Sequence, residues 1–107
     1  MDSAAPARRY YDALDDHNYE ALVDVLTPDF TQRRPDRTFD DRDAFVEFMR
    51  EQRPNPDTDH ELESLVAADE QVAVRGRVIE GGTTLFEFAD FFELEGEQIH
   101  RLETYSR

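Results

Sequence analysis

The chain has 107 residues, with 26 Asp and Glu, 12 basic residues, no cysteine and a net charge of −14 at pH 7. A chain of this length suits one compact core, so residues 1–107 are expected to form a single domain. Without cysteine it has neither disulfides nor thiol chemistry, and no apolar run approaches the roughly 20 residues that span a bilayer. We therefore expect a cytoplasmic protein with no membrane partner.

The excess of acidic residues is the clearest compositional signal. All 12 basic residues are arginine, and lysine is absent. Like charges repel one another at low ionic strength, whereas the Debye length falls to about 3 Å in 1 M salt. We interpret the composition as adaptation to high salt, which makes this an acidic protein of halophilic type. With no basic stripe to contact phosphates, nucleic acid is not an expected partner.

The first half of the chain predicts three helices. Apolar residues recur every three or four positions in residues 3–16, 19–26 and 40–52. Near the start of each helix stands a side chain that can accept a backbone hydrogen bond, namely Asp2 or Ser3, Asn18 and Asp41. Thr27-Pro28 is expected to end the second helix, because the residue before a proline is biased towards extended dihedral angles.

The second half predicts strands, because apolar and polar residues alternate there. The strands are His60–Ala67, Val72–Glu80, Thr83–Leu94 and Gln98–Tyr105, and two short extended segments, Phe30–Arg34 and Arg37–Phe39, precede the third helix. Gly81-Gly82 suits a two-residue hairpin turn. Helices followed by a meander of strands indicate an α+β fold, in which a curved antiparallel sheet wraps around the N-terminal helices.

One carboxylate lies within the most aromatic stretch, FEFADFFELEG at residues 86–96. In a strand, Asp90 shares its face with Phe86, Phe88, Phe92 and Leu94, which is the more apolar of the two faces. A buried carboxylate is costly unless it is paired, hydrogen-bonded or protonated. Asp90 is therefore either a structural hydrogen-bonding residue or part of a functional site, and burial in an apolar cavity would raise its pKa.

Three stretches carry a family resemblance: ARRYYDALDDHNYEALVDVLTPDF, DDRDAFVEFMRE and FADFFELEGEQIHRLETY. They are similar to the opening helix pair, the third helix and the closing hairpin of the nuclear-transport-factor-2-like superfamily, also called the cystatin-like α+β roll. That superfamily includes SnoaL-like polyketide cyclases and ketosteroid isomerases. The resemblance implies a cone-shaped roll with an apolar cavity, where Phe86, Phe88 and Phe92 are candidate ligand contacts.

Two residues match the ketosteroid isomerase branch, and a third position does not. The Arg9-Tyr10 pair resembles the opening helix of that branch, whose tyrosine donates a hydrogen bond to an enolate oxygen, and Asp90 stands in a similar strand setting. The resemblance implies Tyr10, rather than Tyr11, and Asp90 as catalytic residues. Arg34-Pro35 stands where that branch has an aspartate base before a proline, and arginine cannot accept a proton. Steroid isomerisation itself is therefore not expected.

Other polar residues are candidates for the cavity. His100 shares a strand face with Leu102, which makes it a third catalytic candidate, and His60 is a candidate ligand contact or base. Arg34 is either a solvated or salt-bridged surface residue or a functional one, as a clamp for an acidic ligand or as a counter-charge to Asp90. The histidines show no metal-ligand spacing, so no metal is expected, and the family chemistry is cofactor-free.

Two functions remain open at this point. The first is a small cavity enzyme of the SnoaL-like type, which performs acid–base chemistry on a small apolar, oxygen-bearing molecule. The second is a non-catalytic ligand-binding or homodimerisation module with the same fold. A homodimer is expected through the outer face of the sheet, where apolar residues mix with charges of both signs, among them Leu85, Phe91, Arg101, Glu103 and Tyr105.

The charge predicts that salt stabilises the fold. The melting temperature should rise markedly between low-salt buffer and molar potassium chloride, because screening weakens the repulsion among the acidic side chains. Calorimetry across that range measures the effect, and a parallel series in sucrose controls for stabilisation by solute exclusion alone. A melting temperature that does not change with salt would contradict the interpretation of the charge.

Overall fold

The computed structural model describes residues 3–53 and 57–107. In these ranges three helices and six strands follow one another as α1 (Ala4–Asp15), α2 (Tyr19–Val25), β1 (Leu26–Arg33), β2 (Thr38–Phe39), α3 (Arg42–Glu51), β3 (Asp59–Ala68), β4 (Gln71–Glu80), β5 (Thr83–Glu95) and β6 (Gln98–Ser106). The predicted α+β class is confirmed. None of these helices is long and apolar enough to cross a membrane.

The strands form one sheet in the order β2-β1-β6-β5-β4-β3. Strands β3 to β6 make the predicted antiparallel meander, and β2 is antiparallel to β1. The exception lies inside the sheet, where β1 runs parallel to β6. The prediction of an antiparallel sheet is therefore corrected at this pair, which joins the first third of the chain to its last strand.

Two of the three predicted helix caps are confirmed. Asn18 and Asp41 each accept a hydrogen bond from the backbone N–H three residues further on, at 3.1 and 2.7 Å. Ser3 does not cap α1: its backbone is already helical, with φ −64° and ψ −19°, and its hydroxyl instead donates to the carbonyl oxygen of Asp69 at 2.6 Å. Asp2, the alternative cap, lies outside the described residues.

The change from helix to strand comes earlier than Thr27-Pro28 predicts. Helix α2 ends at Val25, and Leu26 already has extended dihedral angles of φ −108° and ψ 141°. Leu26 and Thr27 are both buried, so packing against the core favours an extended backbone from this point. Pro28 therefore lies within β1, on its exposed side.

Aromatic rings fill much of the space between the helices and the sheet. Phe30 of β1, Phe45 of α3 and Phe92 of β5 are among the largest fully buried side chains. The ring of Tyr10 on α1 contacts those of Phe45 and Phe92, with centroid distances of 6.2 and 5.5 Å. Such ring contacts bury large apolar areas, and they hold α1 over the centre of β5.

A register shift in β6 changes which side chains face the helices. The pairing of β5 with β6 shifts between Glu93 and Leu94, which leaves His100 as an extra residue. The inward series that contains Leu102 therefore continues to Ile99, which is fully buried, instead of His100. The prediction that His100 lines the inner side of the sheet is wrong for this reason.

A second shift affects the start of β5. Val78 pairs with Phe86 and Ile79 pairs with Thr84, so Leu85 is the extra residue. Strict alternation places Leu85 on the outer face of the sheet, but in the structure Leu85 and Phe86 line the same cavity. The assignment of Leu85 to the outer face is therefore corrected.

Candidate functional site

A cavity of about 230 Å³ lies between the helices and the inner face of the sheet. This volume exceeds the ~150 Å³ of an apolar cavity that holds benzene and is smaller than the ~300 Å³ at which drug-sized pockets begin. The lining residues are Tyr10, Leu14, Gln32, Arg34, Phe48, Met49, Arg53, Thr58, His60, Val78, Leu85, Phe86, Phe88, Asp90 and Thr104. The dimensions suit one small molecule built on a single ring.

Asp90 lies in the cavity wall and is only 4% exposed, so its predicted burial is confirmed. The hydroxyl of Tyr11 donates to its Oδ2 at 2.6 Å, and the hydroxyl of Thr104 donates to its Oδ1 at 2.6 Å. Thr104 stands directly opposite Asp90 in the pairing of β5 with β6, and Tyr11 reaches it from α1. Each carboxylate oxygen thus accepts a hydrogen bond, which offsets part of the cost of burial.

Burial determines the direction in which the pKa of Asp90 shifts. Removal from water disfavours the carboxylate and raises the pKa above the ordinary range of an aspartate. The hydrogen bonds from Thr104 and Tyr11 act in the opposite direction, as do the charges of His60 and Arg34, but they are smaller effects. Asp90 therefore takes up a proton more readily than a carboxyl group in water.

Gln32 continues the hydrogen-bond chain across the sheet. Its Nε2 donates to the Thr104 hydroxyl at 2.9 Å, and the side chain is almost completely buried. Because that hydroxyl has a single proton, which it donates to Asp90, it must accept from the Gln32 amide. The Gln32 oxygen, Oε1, then remains without a hydrogen-bond partner among the described residues. This buried carbonyl oxygen belongs to a residue of the cavity lining and keeps its capacity to accept a hydrogen bond.

The two adjacent tyrosines, Tyr10 and Tyr11, have different surroundings and different partners. Tyr10 lines the cavity, as predicted, whereas Tyr11 is the residue that binds Asp90. Burial raises the pKa of both hydroxyls, with Asp90 adding to the effect. Both tyrosines are therefore neutral hydrogen-bond donors at physiological pH. Tyr10 is the one that can direct its hydroxyl towards a bound molecule.

A histidine and a carboxylate form a pair in another part of the wall. His60 Nδ1 lies 2.6 Å from Asp15 Oδ1, and the backbone N–H of His60 donates to Asp15 Oδ2 at 3.1 Å. A carboxylate only accepts hydrogen bonds, so Nδ1 carries a proton, and in the neutral form of the ring the lone pair is on Nε2. Because His60 lines the cavity, this arrangement offers an oriented proton acceptor there.

Arg34 lies at the edge of the cavity, close to the position predicted for it. Its Nε donates to Asp36 at 2.8 Å, and its side chain is partly exposed. The interpretation as a salt-bridged residue is therefore confirmed, and the clamp for an acidic ligand stays a prediction for a residue that also lines the cavity. Arg53, which follows α3, is a second arginine in the lining, and its Nη1 donates to the carbonyl oxygen of Leu14 at 3.4 Å.

Not every predicted site residue lies in the cavity. Phe86 and Phe88 line it, but Phe92 is 1% exposed and packs in the core against the tyrosine rings. His100 lies outside the lining, where its Nδ1 is 3.6 Å from Asp29 and 3.7 Å from Glu95. The structure thus brings Asp90, Tyr10, His60, Arg34 and two phenylalanines together, and places His100 elsewhere.

The sequence contained a usable signal for some of the residues that were missed. Gln32 alternates with the buried Phe30, so its inward direction follows from the period of a strand. Thr104 alternates with Leu102 in the same way. The pairing of Asp15 with His60 joins residues 45 positions apart, so only the tertiary structure reveals it.

Comparisons with solved structures agree with the fold. A nuclear-transport-factor-2-like protein of unknown function from Cytophaga hutchinsonii superposes with a TM-score of 0.85 and 16% identity, covering 100% of this chain and 91% of that chain. A proposed ketosteroid isomerase from Kribbella flavida gives 0.86 and 20%, covering 98% and 77%. A proposed polyketide cyclase from Streptomyces antibioticus gives 0.82 and 16%, covering 99% and 92%. At these identities the likeness shows the fold alone.

Comparison at the level of sequence identifies the family. No curated protein matches the chain. The model of the SnoaL-like domain, however, matches residues 7–102, which is most of its length. Because this match covers well over half of the chain, the chain belongs to the SnoaL-like domain family.

Proposed function

We propose that the protein binds a small, apolar, oxygen-bearing molecule in its cavity and transforms it by acid–base chemistry without a cofactor. One observation carries this proposal: an oriented histidine, His60, and a buried carboxyl group, Asp90, line the same small apolar cavity. Titratable groups held in different environments within one cleft are a common arrangement for proton transfer. Several relatives of the fold carry proposed isomerase or cyclase assignments, which supports the same class of reaction.

The proposed reaction is proton transfer next to a carbonyl group. Nε2 of His60 takes a proton from carbon, and the electron pair of the broken C–H bond moves towards the carbonyl oxygen. The Tyr10 hydroxyl, and Asp90 when it is protonated, donate hydrogen bonds to the developing oxyanion. Asp15 holds the imidazole in the required tautomer and stabilises the imidazolium that forms. The proton then returns to a carbon or an oxygen of the same molecule.

We propose in addition that two copies of the chain pair through an outer patch, defined as Val66, Phe91 and Tyr105. These side chains are 64%, 50% and 54% exposed, which is unusual for residues of their size. The rings of Phe91 and Tyr105 contact each other edge to face at 5.8 Å. Arg101 beside them lies within 3.5 Å of Glu93 and 3.2 Å of Glu103, so charges of both signs border the patch. A self-complementary contact between two copies suits this mixture.

The role of His60 predicts a specific loss of activity. A panel of single-ring carbonyl compounds, neutral and acidic, is incubated with the protein in D2O, and NMR follows exchange of the protons next to the carbonyl group. His60→Gln should slow the exchange by about 10²–10⁴-fold, because the general base is removed. Asp15→Asn should also slow it, since the amide can donate to Nδ1 and favours the wrong tautomer. His100→Gln is the matched control and should have no effect.

Two outcomes would contradict the catalytic proposal. Equal exchange rates in the wild-type protein and His60→Gln would remove this histidine from the mechanism. Binding of panel compounds without any acceleration of exchange would leave ligand binding alone as the function. Denaturant unfolding of each variant separates a loss of activity from a loss of structure.

The hydrogen bonds of Asp90 predict how its variants affect stability. Asp90→Leu leaves the hydroxyls of Tyr11 and Thr104 buried without their acceptor, and should lower the free energy of unfolding by about 1–3 kcal/mol. Asp90→Asn should retain the fold, because the amide keeps polar atoms at both positions. Urea unfolding of the three proteins measures both effects. A Leu variant as stable as the wild type would contradict a structural role for these bonds.

The raised pKa of Asp90 also predicts a pH dependence. The carboxyl group ionises less readily in the folded chain than in the unfolded chain, where its pKa is about 3.9. Wild-type stability relative to Asp90→Asn should therefore fall as the pH rises from that value through the higher folded-state pKa, and then become constant. Urea unfolding from pH 3.5 to 8 in molar salt tests this. A difference that stays constant over the range would show that the pKa is not raised.

The outer patch predicts a dimer that one substitution disrupts. Light scattering in molar potassium chloride should give twice the chain mass of 12.5 kDa for the wild type. Phe91→Arg should give a monomer, because it places a charge within the apolar contact. Asp12→Asn on the exposed side of α1 changes the net charge by the same amount and should remain dimeric. A wild-type protein that is monomeric at about 100 μM would contradict the proposal, because even a weak dimer with a dissociation constant of a few μM is mostly formed at that concentration.

A further inference from the structure

Two arginines supply positive charge to the cavity of a strongly acidic protein. Arg34 follows β1 and Arg53 follows α3, and both guanidinium-bearing side chains contribute to the lining. The chain as a whole has a net charge of −14. The only lining carboxyl group in the described residues is Asp90, and it is the kind of buried acid that takes up a proton readily. The charge of the cavity is therefore opposite in sign to that of the protein.

Both arginines share the cavity lining with Tyr10. Their charges lower the pKa of the Tyr10 hydroxyl, against the larger effects of burial and of Asp90, which raise it. Arg34 is held in place by its bond to Asp36 at 2.8 Å, and Arg53 reaches the carbonyl oxygen of Leu14. A guanidinium group presents several N–H donors, so these contacts leave donors on Arg34 for an anion.

Gln32 contributes an uncharged hydrogen-bond acceptor, whereas the arginines contribute positive charge. Its side chain is 3% exposed, and its Oε1 has no hydrogen-bond partner among the described residues. The direction of the hydrogen bonds from Gln32 through Thr104 to Asp90 leaves the oxygen of Gln32, rather than its amide nitrogen, without a partner among the described residues. A buried acceptor of this kind is satisfied by a ligand that donates a hydrogen bond, such as a hydroxyl group.

We propose that the cavity recognises a small aromatic carboxylic acid, whose carboxylate binds at Arg34 and Arg53 and whose hydroxyl group, or enol, donates to Gln32 Oε1. The ring then lies against the apolar wall made by Phe86 and Phe88. This substrate class rests on the proposed function. It narrows the substrate from small oxygen-bearing molecules in general to aromatic keto acids and hydroxy acids, in which the ring is the apolar part. Guanidinium–carboxylate recognition is charge-assisted and geometrically specific, so it can select an acid over its neutral ester.

The test compares phenylpyruvate with its methyl ester, which differ in charge but share the ring and the keto group. Binding is measured by NMR titration in 1 M potassium chloride, where the long-range repulsion by the acidic surface is screened. The acid should bind the wild-type protein at least about tenfold more tightly than the ester. Arg34→Gln and Arg53→Gln should each remove most of that preference. Arg37→Gln is the matched control: Arg37 also binds Asp36 but stacks on the Phe48 ring at 4.3 Å and is not part of the lining.

The outcomes separate this inference from the function on which it rests. If the ester binds as tightly as the acid or more tightly, the proposed preference for a carboxylic acid is wrong, even if proton exchange next to the keto group is accelerated for both compounds. A preference for the acid that persists in both arginine variants overturns the assignment to Arg34 and Arg53. A preference for the acid without accelerated exchange supports the inference and contradicts catalysis. Binding of neither compound overturns both proposals for this class of molecule.

Discussion

The site depends on one constraint, which is the need to satisfy a carboxyl group buried under helix α1. Asp90 meets it by accepting hydrogen bonds from Tyr11 and Thr104, and Thr104 in turn accepts from Gln32. These residues come from α1, β6 and β1, so the network joins a helix to the two strands that pair in parallel. The low dielectric of the interior strengthens each of these bonds and also penalises a missing one, so the unpaired Oε1 of Gln32 is the costly position of the network.

The same network explains how a polar site persists within an aromatic core. Rings from three elements surround Tyr10 and Tyr11, with centroid distances between 5.2 and 6.2 Å. The hydroxyl of Tyr11 donates its hydrogen bond to Asp90, so its polar group is satisfied within the protein. The polar side chains that line the cavity include those of Tyr10, Gln32, His60 and Asp90 itself. Two adjacent residues of α1 thus differ in position, because Tyr11 binds Asp90 and Tyr10 lines the cavity.

Local patterns predicted most of the fold and part of the site. Helical spacing and strand alternation located every element, and the alternation around Asp90 gave its inward direction, because these signals depend on neighbours in sequence. The errors at His100 and Leu85 have a common cause: an extra residue in one strand reverses the alternation, and a pattern of polar and apolar residues does not reveal it. The parallel pairing of β1 with β6 and the contact between Asp15 and His60 depend on distant segments, and only the three-dimensional structure reveals them.

The parallel pairing of β1 with β6 has a consequence for how the chain acquires its site during synthesis. The hydrogen bond from Gln32 to Thr104 spans 72 residues, and that from Tyr11 to Asp90 spans 79. Because β6 follows every other strand of this sheet in the sequence, β1 has no neighbour on that side and Asp90 lacks the Thr104 hydroxyl until β6 has been synthesised. Contacts of such long range form slowly, since loop closure costs entropy before the contact repays it. The nascent chain therefore carries an unfinished sheet edge and a hydrated Asp90, and the cavity forms as a late folding event.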